Sequence, residues 1–206
     1  MKPTKTEIAA LVTQSTTDDG KLAELVAGLS SKDLITKQRS FLSLQKLVEG
    51  NPARLYQRHW YSIAAMLDHS GVDAKYIAIY LLAGMTAADA DDRFDEVFYK
   101  YFSLLDDNTL IAPMHVALNA AAVHKAKPEL REDIVKLLIS IDKTHHTPAR
   151  KALIAAYAIE SLDKIFDDVE DKAAVLEFVR GYVKAPSPKA RTMAKAFLKK
   201  REKTAV

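Results

Sequence analysis

The side chains that most readily do chemistry are sparse in this chain. Its 206 residues include six histidines and no cysteine, so thiolate zinc sites, disulfide bonds and a cysteine nucleophile are excluded. The histidines form no HExxH pair, and none stands at a metal-ligand spacing from a carboxylate. His145 and His146 are adjacent in a turn-like segment, where both side chains are expected to be solvated. The sequence therefore predicts no metal site and no catalytic residue.

The acidic stretch DADDRFDE, which begins at Asp89, contains the residue types that bind calcium. It lacks the glycine that a calcium loop needs at its sharp turn, and it continues into an aromatic segment. We interpret it as the start of a helix, where carboxylates interact favourably with the helix dipole. The chain has neither a glycine-rich phosphate loop nor a nucleophile elbow. An enzyme, a cofactor and a small-molecule substrate are therefore not predicted.

The apolar residues follow a helical period along the whole chain. Glycine is rare, with six residues, and good helix formers dominate the composition. The segment FDEVFYKYFSLL, from Phe94, places apolar side chains at steps of three and four. Breaks such as EGNP, SGVD, HHTP and APSP supply caps, or prolines suited to the first turn of a helix. The sequence predicts an all-α fold of ten or eleven helices with short connections.

One helix pattern recurs along the chain. The segment TPARKALIAAYAIESL is echoed by SPKARTMAKAFLKKR, and three earlier copies share its register. The five copies are anchored at Gln38, Lys75, Ile111, Arg150 and Arg191, which are 37, 36, 39 and 41 residues apart. A second amphipathic helix lies between successive copies, so each unit is an antiparallel helix pair. Such a pair buries its apolar stripe only by stacking on its neighbours.

The segments GVDAKYIAIYLLAGM and SPKARTMAKAFLKK resemble the second helix of a HEAT repeat, from the armadillo-type superfamily. In that helix a turn with Asp precedes a basic residue, a small apolar residue and leucines. The resemblance covers roughly residues 21–201, but Ile111 replaces the usual basic residue, and only Asp33 and Asp73 occupy the turn position. It implies a right-handed alpha-alpha superhelix, or solenoid, of about five HEAT-like helix pairs. Two helices per unit favour HEAT over armadillo repeats, which have three.

The repeat pattern predicts a single HEAT-like repeat domain over residues 1–206. An N-terminal capping helix is expected at about residues 4–14. Five repeats are expected at about residues 20–50, 52–88, 92–125, 128–167 and 169–202. The basic anchors Lys75, Arg150 and Arg191 are expected to hold neighbouring repeats in register rather than to bind a ligand.

The residues one, four, five and eight positions after each anchor are expected to point away from the core, towards a concave surface. These twenty positions hold five Lys or Arg and no acid. The predicted partner-binding residues on this face are Arg39, Lys46, Tyr76, Tyr80, His115, Asn119, Lys151, Lys195 and Lys199. Bases mixed with tyrosines and apolar side chains suit an acidic or amphipathic protein segment. An ordinary solvated face is the alternative at this stage.

Charge is distributed unevenly along the chain. From Lys184 to the end there are eight basic residues and one acid, whereas Thr86 to Asp107 holds seven acids and two bases. Nucleic acid is therefore the alternative partner, bound by the basic concave face and the basic C-terminal helix, Lys189 to Lys203. Acidic segments on the outer helices would repel phosphate, so a non-enzymatic protein-binding scaffold is favoured. The basic C-terminal helix is interpreted first as a polar cap of the solenoid.

Targeting and membrane signals are not predicted. The first residues, MKPTKTEIAALVTQSTTDD, lack the unbroken apolar stretch of a signal peptide. No window approaches the length of about 18 apolar residues that a membrane span requires. Because cysteine is absent, a cytoplasmic location is favoured.

Overall fold

Helices make up nearly all of the chain that the structure describes. The computed structural model describes residues 2–201, and within this range it contains eleven α-helices, six 3-10 helices and no strand. The α-helices are α1 (Lys5–Thr17), α2 (Asp19–Gly28), α3 (Leu34–Gly50), α4 (Pro52–Ala64), α5 (Val72–Met85), α6 (Arg93–Ser103), α7 (Ile111–Ala126), α8 (Arg131–Ile139), α9 (Pro148–Ile165), α10 (Lys172–Gly181) and α11 (Pro188–Arg201). The 3-10 helices are Ala65–Asp68, Thr86–Ala88, Leu104–Asp106, Pro128–Leu130, Ile141–Lys143 and Phe166–Asp168. The predicted all-α class and the number of helices are confirmed.

Short polar side chains and prolines start several of the helices. The Thr4 hydroxyl accepts a hydrogen bond from the Glu7 backbone N–H at 3.2 Å, and the Glu7 carboxylate accepts one from the Thr4 N–H at 2.7 Å. This reciprocal pair is a capping box for α1. Asp33 caps α3 by accepting from two backbone N–H groups of its first turn. Thr147 caps α9, and Pro148 occupies the first helical position.

The helices form two compact units. The first unit runs to Phe98 and the second begins at Tyr99, so the boundary falls inside α6. Each predicted repeat corresponds to two consecutive α-helices, from α2 with α3 to α10 with α11. Residue 202, the predicted end of the last repeat, lies outside the described residues. The assignment of one repeat domain to the whole chain stays a prediction.

In the first unit, α3 packs against α1, α2, α4 and α5. Trp60 is the largest side chain of this core and is 1% exposed. The edge of its ring meets Tyr56 at a centroid distance of 5.4 Å and Phe94 at 6.4 Å. Aromatic rings bury the most area per residue, so this cluster anchors α4.

In the second unit, α9 packs against α7, α8 and α11. Alanine lines these contacts, with Ala117 and Ala120 on α7 and Ala155 and Ala158 on α9 all inaccessible to solvent. Small side chains let the helix axes approach closely. As a result α9 is buried around most of its circumference.

Several side-chain hydrogen bonds that link different helices join residues about one repeat apart. In the first unit the Tyr56 hydroxyl donates to Asp89 Oδ1 at 2.7 Å, over 33 positions. In the second unit the Ser161 hydroxyl donates to the Ala117 carbonyl at 2.6 Å, over 44 positions. These separations bracket the 36 to 41 residues between the sequence anchors. These bonds join α4 to the start of α6 in the first unit and α9 to α7 in the second.

Candidate functional site

Two predicted basic site residues lie on the exposed side of α3. Arg39 is partly buried and lines a cavity of 330 Å³ among α1, α2 and α3, together with Glu7 and Glu24. Lys46 is exposed, and its ammonium pairs with Glu49 at 2.6 Å. Each cation therefore already has an acidic side chain in its surroundings, which reduces the charge that it presents to a partner.

The predicted tyrosines of α5 belong to an aromatic cluster. The rings of Tyr76 and Tyr80 are 4.9 Å apart and lie 5.4 Å and 5.9 Å from the ring of Phe41 on α3. Both tyrosines are partly exposed, while Phe41 is buried. The cluster contributes to the packing of α5 on α3 and leaves part of each tyrosine accessible.

His115 and Asn119 lie on α7 one turn apart, where the Asn119 amide donates to the His115 carbonyl at 2.8 Å. The His115 ring lies 6.4 Å from the ring of Tyr157 on α9. Burial, and then the positive charge of Lys189, lower the pKa of His115. The Lys189 ammonium itself lies 3.3 Å from the centre of the Tyr157 ring, a cation–π contact.

Sequence analysis missed Tyr157 and Lys189 as surface residues of this face. The partly exposed stripe of α9 runs through Leu153, Tyr157 and Glu160. None of these residues is one, four, five or eight positions after Arg150, where the sequence pattern predicted the outward side chains. The sequence feature that indicates this exposed side of α9 is the polar pair of Glu160 and Lys164. The pair begins one turn after Tyr157 on the same side of the helix.

The predicted outward orientation is wrong at eight of the twenty positions. The structure buries Ser43, Ile79, Ala83, Ala112, Val116, Ile154, Ala155 and Ala158. On α9 the physical reason is that α7, α8 and α11 cover the helix from several sides, so that apolar residues occur nearly all round it. The nine predicted binding residues are not among the buried positions.

Lys151 is a further predicted site residue that lines a groove. The groove belongs to the second unit and has a volume of 580 Å³. Its lining is Ile139, Asp142, Pro148, Lys151, Ala152, Ala174, Glu177, Phe178, Gly181, Tyr182, Ala185 and Pro186. The Lys151 ammonium donates to the Asp142 carbonyl at 2.6 Å. The rings of Phe178 and Tyr182 are tilted against each other, with their centroids 5.0 Å apart, and form an aromatic part of the wall.

The bases of the C-terminal helix are only partly available to a partner. Lys195 and Lys199 are exposed on α11. In contrast, Lys200 pairs with Asp163 at 2.9 Å, and the Arg201 guanidinium pairs with the same carboxylate at 2.7 Å. The last residue of the predicted helix, Lys203, lies outside the described residues.

The basic anchors differ in what they bind. Arg191 donates to the carbonyls of Ala185 and Pro186, at 2.8 Å and 3.0 Å, in the connection just before its own helix. Between neighbouring pairs the first unit uses Lys37 instead, whose ammonium lies 3.6 Å from Asp73. This ion pair joins α3 to the first turn of α5, and its base lies one residue before the predicted anchor Gln38.

The acidic stretch forms the start of a helix, as predicted. Asp89 accepts hydrogen bonds from the backbone N–H groups of Arg93 and Phe94, both at 2.9 Å, at the beginning of α6. Burial, and then Asp89, raise the pKa of Tyr56, so its hydroxyl stays protonated as the donor to this carboxylate. The carboxylate therefore joins the α6 start to α4.

The prediction that both adjacent histidines are solvated is wrong for His146. His145 is exposed, but His146 is only 4% exposed. Burial, and then the neighbouring His145, lower the pKa of His146. The physical reason is the packing of the turn before α9, which leaves the His145 ring half exposed and buries the His146 ring 4.3 Å from it.

Comparisons with known proteins return no match among protein-family models, curated proteins or solved structures. Function is therefore inferred from the geometry of the chain's own residues. None of the helices in residues 2–201 combines the length and the apolarity that crossing a bilayer requires.

Proposed function

We propose that the chain is a HEAT-type repeat protein, a right-handed solenoid of about five helix pairs behind an N-terminal capping helix. Two observations support this proposal. Within each unit, alternate helices pack on one another, α1 on α3, α3 on α5, α7 on α9 and α9 on α11. The hydrogen bonds between helix pairs also join residues about one repeat apart. Contacts limited to adjacent repeats are typical of solenoids.

The proposed function is that of a non-enzymatic scaffold that binds an amphipathic protein segment with acidic residues. The observation that carries it is the 580 Å³ groove of the second unit. Apolar and aromatic side chains, among them Ile139, Phe178 and Tyr182, line most of its surface. An apolar groove receives the hydrophobic face of an amphipathic helix.

The edge of the groove supplies the polar part of the recognition. The Lys151 ammonium is held by a neutral carbonyl, and it forms no ion pair with a carboxylate within residues 2–201. It can therefore pair with a partner carboxylate next to the apolar contact, and a charge at the rim of an interface favours the correct orientation of the partner.

The hydroxyl in the groove is a hydrogen-bond donor at neutral pH. Burial, and then the negative charge of Asp142, raise the pKa of Tyr182 to about 12. The hydroxyl thus remains protonated at neutral pH and can donate a hydrogen bond to a carbonyl or carboxylate of a bound segment.

Site-specific photocrosslinking tests the proposal. A photoreactive residue at Glu177, on the groove, is compared with one at the exposed Ala122 of α7, in extracts treated with nuclease. We expect a protein to crosslink at position 177 and not at position 122. Its crosslinked segment, made as a peptide, should bind the purified chain at micromolar affinity in a titration.

Substitutions in the groove then separate specific from general binding. Lys151→Glu and Phe178→Ala should each weaken binding of the peptide by at least about tenfold, or about 1.4 kcal/mol. Lys125→Glu reverses an exposed charge on α7 and should leave the affinity unchanged. Equal affinities for all three variants, or loss of the partner on nuclease treatment, would contradict the proposal.

A further inference from the structure

The fold brings together three side chains that are distant in the sequence. Asp106 ends the 3-10 helix that follows α6, and His145 and His146 lie in the turn before α9. Asp106 and His145 are 39 positions apart. One ligand atom from each of the three residues lies within 4.8 Å of the other two. All three belong to the second unit.

His146 provides the observation that points to a ligand. Its side chain is 96% buried, and neither ring nitrogen forms a hydrogen bond within residues 2–201. The Leu105 carbonyl is near enough to favour the charged ring but does not meet hydrogen-bond geometry. Buried polar groups are nearly always paired in folded proteins. An imidazole buried without a hydrogen bond, beside a carboxylate and a second imidazole, has the character of a metal ligand.

Asp106 and His145 supply the other two metal-ligand atoms, on the side of the cluster that faces solvent. His145 Nδ1 lies 2.5 Å from Asp106 Oδ1, and the same oxygen accepts the His145 backbone N–H at 2.8 Å. Both side chains are about half exposed. The backbone hydrogen bond fixes the turn against the carboxylate, and the exposed edge leaves room for water as a further ligand.

We propose that Asp106, His145 and His146 bind one divalent transition-metal ion of the zinc type, with water completing the coordination. Two imidazoles and one carboxylate suit Zn²⁺ and its neighbours, whereas Mg²⁺ and Ca²⁺ prefer oxygen ligands. None of these three residues is part of the groove lining, and this inference does not depend on the proposed binding function.

The geometry requires only small adjustments. Ligand atoms at about 2.1 Å from a tetrahedral zinc ion are about 3.4 Å apart. The present separation of 2.5 Å between His145 Nδ1 and Asp106 Oδ1 therefore opens by about 0.9 Å on binding, and the more distant pairs close. Side-chain rotation accomplishes this, since two of the three residues are half exposed. The bound ion would cross-link the turn after α6 to the turn before α9.

Metal binding by the full chain tests the proposal. The chain, prepared without a polyhistidine tag and stripped with a chelator, is titrated with Zn²⁺ and with Co²⁺. We expect one Zn²⁺ per chain, visible absorption bands from the Co²⁺ complex, and a rise of about 5 °C in Tm at saturating Zn²⁺. Magnesium should produce none of these changes.

Matched variants locate the ion. Asp106→Asn changes a half-exposed side chain and should fold, yet weaken Zn²⁺ binding by at least about tenfold. His146→Gln should likewise fold and bind Zn²⁺ more weakly. His69 is an exposed histidine of the first unit, and His69→Gln should bind Zn²⁺ as the unaltered chain does. Circular dichroism verifies that each variant is folded. If Zn²⁺ binding is weaker than about 100 μM, or is equal in Asp106→Asn and His69→Gln, the proposal is wrong.

Discussion

Two buried polar side chains of the second unit are expected to influence the stability of this protein. His124 on α7 is inaccessible to solvent, and neither of its ring nitrogens is hydrogen-bonded within the described chain. Arg201 on α11 is 8% exposed and joins two carboxylates of the second unit. His124 is buried in its uncharged form, whereas Arg201 is buried as a cation. The two residues therefore respond differently to substitution and to pH.

His124 should make stability fall in mild acid. Burial, and then the positive charge of Arg131, lower the pKa of His124 to about 4, while Asp168 opposes the shift. Between pH 6.5 and about 4 the unfolded chain binds a proton here that the folded chain does not. The free energy of unfolding therefore decreases as the pH falls through this window, by about 2 kcal/mol from pH 7 to pH 5.

Urea unfolding at pH 7 and pH 5 measures this dependence. The variant His124→Gln should lose the part of the change in unfolding free energy between pH 7 and pH 5 that His124 causes. This holds whatever the stability of the variant at pH 7. The exposed His69 is the matched control, and His69→Gln should keep the difference. An identical difference in all three chains would show that His124 does not carry the effect.

Arg201 should contribute far more to stability than its neighbour Lys200. Arg201 Nε donates to Asp163 Oδ1 at 2.7 Å, and Nη1 donates to Asp167 Oδ1 at 2.9 Å. Removing it leaves the partly buried Asp163 with fewer partners, so Arg201→Gln should lower the free energy of unfolding by about 2 kcal/mol. Lys200→Gln breaks an exposed pair with the same carboxylate and should change it by less than about 1 kcal/mol. Equal losses in urea titrations would refute this ranking.

At the scale of the elements, a helix that is buried on several sides needs small residues where it approaches a neighbouring helix closely. Gly84 lies on α5 opposite Val48 of α3, and a Cβ added at Gly84 would be 2.7 Å from Val48 Cγ2. The valine side chain is β-branched and stiff, so it cannot easily move aside. Glycine at this position is therefore required by the spacing of the two helices rather than by its backbone angles.

The substitution Gly84→Ala should lower the free energy of unfolding by about 1 kcal/mol. Crowding against Val48 costs about 2 kcal/mol, which exceeds the gain in helix propensity of about 1 kcal/mol. Gly50→Ala, at the end of α3, has no atom within 4 Å of the added Cβ and should be neutral or slightly stabilising. Thermal unfolding of the two variants provides the comparison, and a higher Tm for Gly84→Ala would contradict the prediction.

The helix pairs were predictable from sequence, but the surface that each helix exposes was predictable only in part. On α3 the predicted positions of Arg39 and Lys46 are accessible, because polar residues there mark one side of the helix. On α9 the run ALIAAYAIESL is apolar on nearly all sides, so the period alone does not select a face. Packing against three other helices decides it, and leaves Tyr157 rather than Ile154 accessible.

For the whole molecule, charge bears on the choice between protein and nucleic acid as partner. The net charge is only +3. Lys200 and Arg201 of the basic C-terminal segment are paired with carboxylates. The remaining exposed bases of α11, such as Lys195 and Lys199, form a small patch, and extensive positive surface is typical of nucleic-acid binders.

We expect only weak, salt-sensitive binding to nucleic acid. With a labelled duplex of about 20 base pairs, the Kd should exceed about 10 μM at 150 mM salt in fluorescence anisotropy. The double variant Lys195→Gln with Lys199→Gln removes two exposed bases of α11. A Kd below about 1 μM at this salt concentration, with a salt slope reduced by about 2 in the double variant, would instead favour the nucleic-acid alternative.

The sequence by itself determined that the described chain is helical, where the helices begin, and that helix pairs recur about every forty residues. These properties follow from local causes, since caps, prolines and apolar spacing act within a few turns. Only the tertiary structure decided which faces remain open, and it placed Asp106 beside two histidines 39 or more positions away. Contacts across that distance depend on how the helices pack, which neither composition nor periodicity specifies.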